Sequence, residues 1–171
     1  MRPLLALTCL LGLAACGPDT DPALAPDLAA GGIPPHVASA SGAGHFFNEA
    51  VGVQVRDDFT ARSDSDGTVA GEYQRIAGAA IIHGTVTCLT VVGSEAWIGG
   101  TIDRAAFTPV AIGSEFVFRV VDNGEGEGVL DLFSRVAFNQ PAGTAAAFCE
   151  TGADPIPLTP IERQGNVQVR G

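Results

Sequence analysis

The run Ala79-Ala-Ile-Ile-His-Gly-Thr-Val-Thr-Cys-Leu-Thr-Val-Val92, closed by Gly93-Ser94 and answered by Ala96-Trp-Ile-Gly-Gly-Thr-Ile102, decides the fold class. It is dense in β-branched residues, whose stiff χ1 suits a pleated surface better than a helix. The flanking sequence repeats the pattern. Val51-Gly-Val-Gln-Val55 has period two, so Val51, Val53 and Val55 share one face. Asp64-Ser-Asp66-Gly67 reads as a hairpin turn into Thr68-Val-Ala-Gly-Glu-Tyr73, because Asp and Gly tolerate positive φ. Glu115–Val121 sets Phe116, Phe118 and Val120 against Val117, Arg119 and Val121. The turn Asp122-Asn-Gly124 follows, then an alternating run Val129–Phe138 and a closing strand Asn166–Arg170. Seven or eight strands at this spacing predict an all-β chain, a single antiparallel β-barrel or β-sandwich. Gly71, Gly84, Gly99 and Gly100 fall inside strand runs, where glycine marks bends and bulges, and so lean the reading toward a curved sheet. The single helix candidate is Ala142–Cys149, and Pro155, Pro157 and Pro160 predict an extended connection after it.

Composition narrows the function. Of 171 residues 46% are hydrophobic and 16% charged, enough apolar material for a core and too little charge for a disordered chain. Nine basic residues stand against nineteen acidic ones, a net charge of −10. All nine are Arg, so a Lys nucleophile is excluded. An acidic field without a basic patch repels phosphate backbones, and nucleic acid is not an expected partner.

The N-terminus, Met1-Arg-Pro-Leu-Leu-Ala-Leu-Thr-Cys-Leu-Leu-Gly-Leu-Ala-Ala-Cys16, has one positive residue, a short apolar run and Leu13-Ala14-Ala15-Cys16. The run is too short to span a bilayer as a helix. The segment resembles a bacterial lipoprotein signal peptide, with Leu13-Ala14-Ala15-Cys16 matching the lipobox. The resemblance implies that residues 1–15 are removed and that Cys16 is lipidated and holds the chain on a membrane. Gly17 rather than Asp follows, which by the same resemblance gives no inner-membrane retention signal. The expected location is the bacterial cell envelope, at the outer membrane or cell surface. Residues 16–35 are small, Pro-rich and acidic, and read as a tether, which leaves 36–171 as the all-β domain.

Cys9 lies in the signal segment and Cys16 carries the lipid, so Cys88 and Cys149 remain. Two thiols in an exported chain predict one disulfide. A bridge over about 60 residues stabilises by about 4 kcal/mol in the chain-entropy account.

The turn Asp122-Asn-Gly-Glu-Gly-Glu-Gly128 gathers oxygen ligands of the kind calcium takes, at Asp122, Asn123, Glu125 and Glu127. Asn-Gly is itself a turn signal, and without EF-hand spacing the reading we prefer is a solvated hairpin loop. Asp64-Ser-Asp66-Gly67, with Asp57 and Asp58 nearby, is accounted for by its turn. His36, His45 and His83 are not spaced as zinc ligands and read as structural histidines. Trp97 faces away from Ile98 on its strand. It is either core on a covered face or a residue for stacking a ligand or partner. G-x-S-x-G, HExxH, P-loop and dinucleotide signatures are missing, so no catalytic residue, cofactor or metal is assigned.

The segments Ala40–Phe46, Asp66–Gly71, Val86–Leu89, Ala96–Gly100 and Phe118–Gly124 resemble a set of secreted bacterial β domains to which no activity is attached. Taken together, the expectation is a lipid-anchored, non-enzymatic binding or structural envelope module. Its partner would be a glycan, small ligand or envelope protein. The alternatives are a lipocalin-like barrel carrying a small apolar ligand and, behind it, a hydrolase with an unrecognised site.

Overall fold

The computed structural model describes residues 36–48, 52–152, 156–161 and 165–171. Cys16, the signal segment 1–15 and the tether 16–35 lie outside the described residues, as does Val51. The strands run β1 (His36–Asn48), β2 (Val53–Asp64), β3 (Val69–Ala77), β4 (Ala80–Val92), β5 (Glu95–Ala106), β6 (Glu115–Val121), β7 (Leu132–Ser134) and β8 (Ala137–Gln140). After the helix α1 (Thr144–Thr151) come β9 (Leu158–Pro160) and β10 (Gly165–Arg170). They form one antiparallel sheet in the order β10-β1-β2-β3-β4-β5-β6-β7-β9, with β8 also pairing β6. The sheet curls into a half-barrel.

The sequence predicts seven or eight strands, and the described residues carry ten. Two differences account for this. The run Val129–Phe138 is not one strand. It breaks at Arg135 and Val136, so that β7 pairs the end of β6 and β8 pairs its beginning. The proline-rich connection also contributes a strand, because Leu158–Pro160 lies against β7.

Curling has local causes. The β4–β5 ladder carries register shifts between His83 and Gly84 and between Val86 and Cys88, where one strand gains a residue and bends. The concave face holds Phe59, Tyr73, Phe116, Phe118 and Phe133, all buried. Phe118 and Phe133 stack at 5.1 Å, Tyr73 and Phe116 at 4.9 Å, and Phe59 meets Phe118 edge-on at 5.2 Å. Removing one such ring typically costs about 3–5 kcal/mol. Gly84 and Gly100 face Phe116, and a Cβ at either would come within 2.6 and 2.8 Å of its ring. These glycines are the space into which the ring fits.

The convex face of β5 and β6 has its own layer. Trp97, Val117, Ala145 and Phe148 form a second buried cluster beneath α1. The helix begins at Gly143 with no side-chain cap of its own. Glu115 on β6 supplies one, accepting hydrogen bonds from Gly143 N–H at 2.9 Å and Ala145 N–H at 2.7 Å. Gly99 lies under Ala145, where a Cβ would meet that residue at 2.8 Å, so glycine lets the helix approach. Cys88 and Cys149 are bridged, with Cα atoms 6.1 Å apart, and tie α1 to β4.

Side chains bridge what the ladder leaves open. The outward N–H groups of β10 have no strand to pair with, since β10 is a sheet edge. Val167 N–H donates to Asp131 Oδ2 at 2.7 Å and Val169 N–H to Asp122 Oδ2 at 3.0 Å. Two carboxylates from the segment between β6 and β7 thus occupy the place of a neighbouring strand.

Candidate functional site

Strand alternation puts Val55, Asp57, Phe59 and Ala61 of β2 on the buried face. Across the ladder, Asp57 pairs with Arg75 and Phe59 with Tyr73 on β3. An acid and a base therefore point into the concave side. Asp57 is 1% exposed. It is held by a fork, Arg75 Nε to Oδ1 at 2.7 Å and Nη2 to Oδ2 at 2.8 Å, and by the Tyr73 hydroxyl, which donates to Oδ1 at 2.6 Å. The Arg75 guanidinium lies over the Phe138 ring at 4.8 Å. Burial works against the Arg75 charge, but its hydrogen bonds to Asp57 and the neighbouring charge outweigh this and raise its pKa. Burial pushes the Tyr73 phenol well above its usual range, and the Asp57 charge pushes the same way.

This group forms one wall of a cavity of about 600 Å³. Phe46, Val55, Phe133, Val136 and Phe138 supply apolar walls, with Arg135, Asn48 and Ser134 among the polar lining. The volume lies within the range of about 300–1,000 Å³ found for ligand pockets. Among the described residues the concave side is otherwise filled by the aromatic stack, so the open space lies at this mouth and not along the whole axis.

Sequence reading missed Asp57 and Arg75 as a pair. The signal was present, since Val55-x-Asp57-x-Phe59 and Tyr73-x-Arg75-x-Ala77 each set a charge in the apolar phase of a strand. In the sequence Asp57 stands beside Asp58, close to the acidic turn Asp64–Gly67, which masks its place in the strand.

The residues singled out from the sequence fall elsewhere. Trp97 lies on the convex face under α1, 8% exposed, with Nε1 buried and unpaired among the described residues. Asp122 accepts from Gly124 N–H at 2.8 Å besides Val169. The Asn123 amide donates to Leu130 O at 2.6 Å, and Glu125 accepts from Asn166 Nδ2 at 3.1 Å. Glu127 is exposed. Asp122, Asn123 and Glu125 are thus drawn into the bridge to β10 and its surroundings. Among the described residues no group of three or more His, Cys, Asp or Glu side chains is placed to hold a metal ion. Asp66 accepts from Thr68 N–H at 2.8 Å inside the hairpin turn, which lowers its pKa.

His83 stands on the convex face. Its Nδ1 is 3.1 Å from Asp103 Oδ1 and its Nε2 is 3.8 Å from Glu72 Oε2. Thr85 donates to the other Asp103 oxygen at 3.0 Å. A histidine oriented by a carboxylate is half of a nucleophile-activating arrangement. Here a second carboxylate faces the other ring nitrogen, where a nucleophile would stand.

No family model matches the chain, and no curated protein or solved structure is similar enough to count as a match.

Proposed function

We propose that the chain is an exported, lipid-anchored, non-enzymatic binding module that takes a small ligand into the mouth of its half-barrel. The short apolar run after Arg2, the lipobox-like Leu13-Ala14-Ala15-Cys16 and the Pro-rich stretch that follows support lipidation at Cys16, removal of residues 1–15 and anchoring at the bacterial cell envelope, at the outer membrane or cell surface. The cavity at Asp57 and Arg75 is the observation that carries the binding reading. It joins apolar walls to a few fixed polar groups, as ligand pockets do. The non-enzymatic part is supported by the way Tyr73 and Arg75 both spend hydrogen bonds on Asp57, an arrangement that fixes geometry rather than freeing a base.

Two measurements test the proposal. Cys16→Ser should move the protein from the membrane fraction to the soluble one, and continued membrane retention overturns the anchoring. Native mass spectrometry of the exported protein should show extra mass that is lost on denaturation. A native mass equal to the denatured one overturns the carried ligand.

A further inference from the structure

We infer that the ligand of the mouth pocket is an amphiphile with a single anionic head, of the long-chain carboxylate class. This rests on the binding reading above and names its substrate. The chain carries a net charge of −10, yet the pocket lining holds two arginines, Arg75 and Arg135, against one aspartate, Asp57. The local balance is therefore positive on an acidic protein. Asp57 takes up the fork of Arg75 through Nε and Nη2, leaving Nη1 outside it. Arg135 is exposed and makes no ion pair among the described residues. An anionic head held at the two arginines leaves its apolar chain against Phe46, Val55, Phe133 and Val136.

A second observation points the same way. Phe47 pairs with Gln54 and Val55 with Ala77, so Phe47 stands at the end of the sheet where the pocket opens. It lines the pocket and is 47% exposed, an apolar ring at its lip. Apolar walls and an apolar lip around a positively balanced pocket match a ligand with one long apolar portion and one negative end. A cationic amphiphile would meet the wrong charge, and a glycan would leave the apolar walls without a partner.

The test uses the full chain carrying Cys16→Ser, so that no acyl group of its own competes. Decanoate and decyltrimethylammonium are titrated separately, each below its micelle concentration, by calorimetry. Decanoate should bind, and decyltrimethylammonium should bind at least tenfold more weakly. Arg135→Gln should weaken decanoate about tenfold while leaving thermal unfolding unchanged, since Arg135 is exposed. Equal affinity for the two amphiphiles overturns the anionic class and leaves the pocket reading standing. Decanoate binding that is indifferent to Arg135→Gln overturns the placement of the head. If neither amphiphile binds, the ligand class falls, and the native mass of the exported protein then decides the pocket reading separately.

Discussion

Asp131 Oδ2 accepts the Val167 N–H at 2.7 Å while Asp131 Oδ1 accepts the Asn123 N–H at 2.9 Å, so one buried carboxylate ties β10 to the segment that leaves β6. An amide in its place presents a donor to one of two donors. Asp131→Asn should therefore cost about 2 kcal/mol, the range for a charged hydrogen bond lost with a buried N–H left unpaired. Urea unfolding measures this. A midpoint within error of the parent would show that β10 is held by its β1 ladder alone.

Calcium should not alter stability. Asp122 and Asp131 already accept from backbone N–H groups of β10, and an ion would have to displace them. A melting scan with and without millimolar Ca²⁺ should give the same midpoint. A rise that chelation reverses would mean that the acidic segment binds the ion in preference to β10.

Tyr73 makes the chain sensitive to alkali. It is the one tyrosine, so absorbance at 295 nm reports on it alone. Its folded pKa is raised by burial and by Asp57, whereas the unfolded phenol ionises near pH ~10. Above that pH the folded chain binds more protons than the unfolded one, so stability falls as pH rises, by about 1.4 kcal/mol per unit. Phenolate absorbance should appear only together with loss of the circular dichroism of the sheet. Tyr73→Phe should remove the slope. Smooth titration of a folded protein near pH ~10 would contradict the buried hydrogen bond.

Removing Asp57 leaves Arg75 charged, largely buried and without its fork. Asp57→Ala should cost about 3–5 kcal/mol. Combining it with Arg75→Leu should recover part of the loss, because the buried charge goes with its partner. Additive losses in the double-mutant cycle would mean that the two residues act independently despite their 2.7 Å contact.

The bridge Cys88–Cys149 closes a loop of 61 residues, which corresponds to about 4 kcal/mol of denatured-state entropy. Cys88→Ser and Cys149→Ser should destabilise equally, and the double variant should add little. Loss should also expose Trp97, read as a red shift of its fluorescence, because the bridge holds α1 over the ring.

Most of the sheet was legible because strand alternation and turn chemistry are local. The Asp66-Gly67 hairpin and the opposed faces of Glu115–Val121 are written in adjacent residues. The disulfide followed from counting thiols. What escaped is what depends on closure. The split at Arg135 is set by two separate stretches of β6, and β9 exists only because Leu158–Pro160 meets β7. Asp122 reads as an ion ligand because its acceptor atoms are visible in the sequence, whereas its donor Val169 lies 47 residues away. The mouth site failed to register for a related reason. Asp57 and Arg75 are 18 residues apart and become one unit only when β2 and β3 pair.

The carboxylates at β10 have one more effect, on how copies of this chain meet. An edge strand with free N–H groups invites a strand from another molecule and so seeds assembly. At β10 those groups at Val167 and Val169 are already taken. At the other edge, β9 is three residues long and ends on Pro160, which has no N–H to offer. Both borders of the curled sheet therefore refuse a neighbour's backbone.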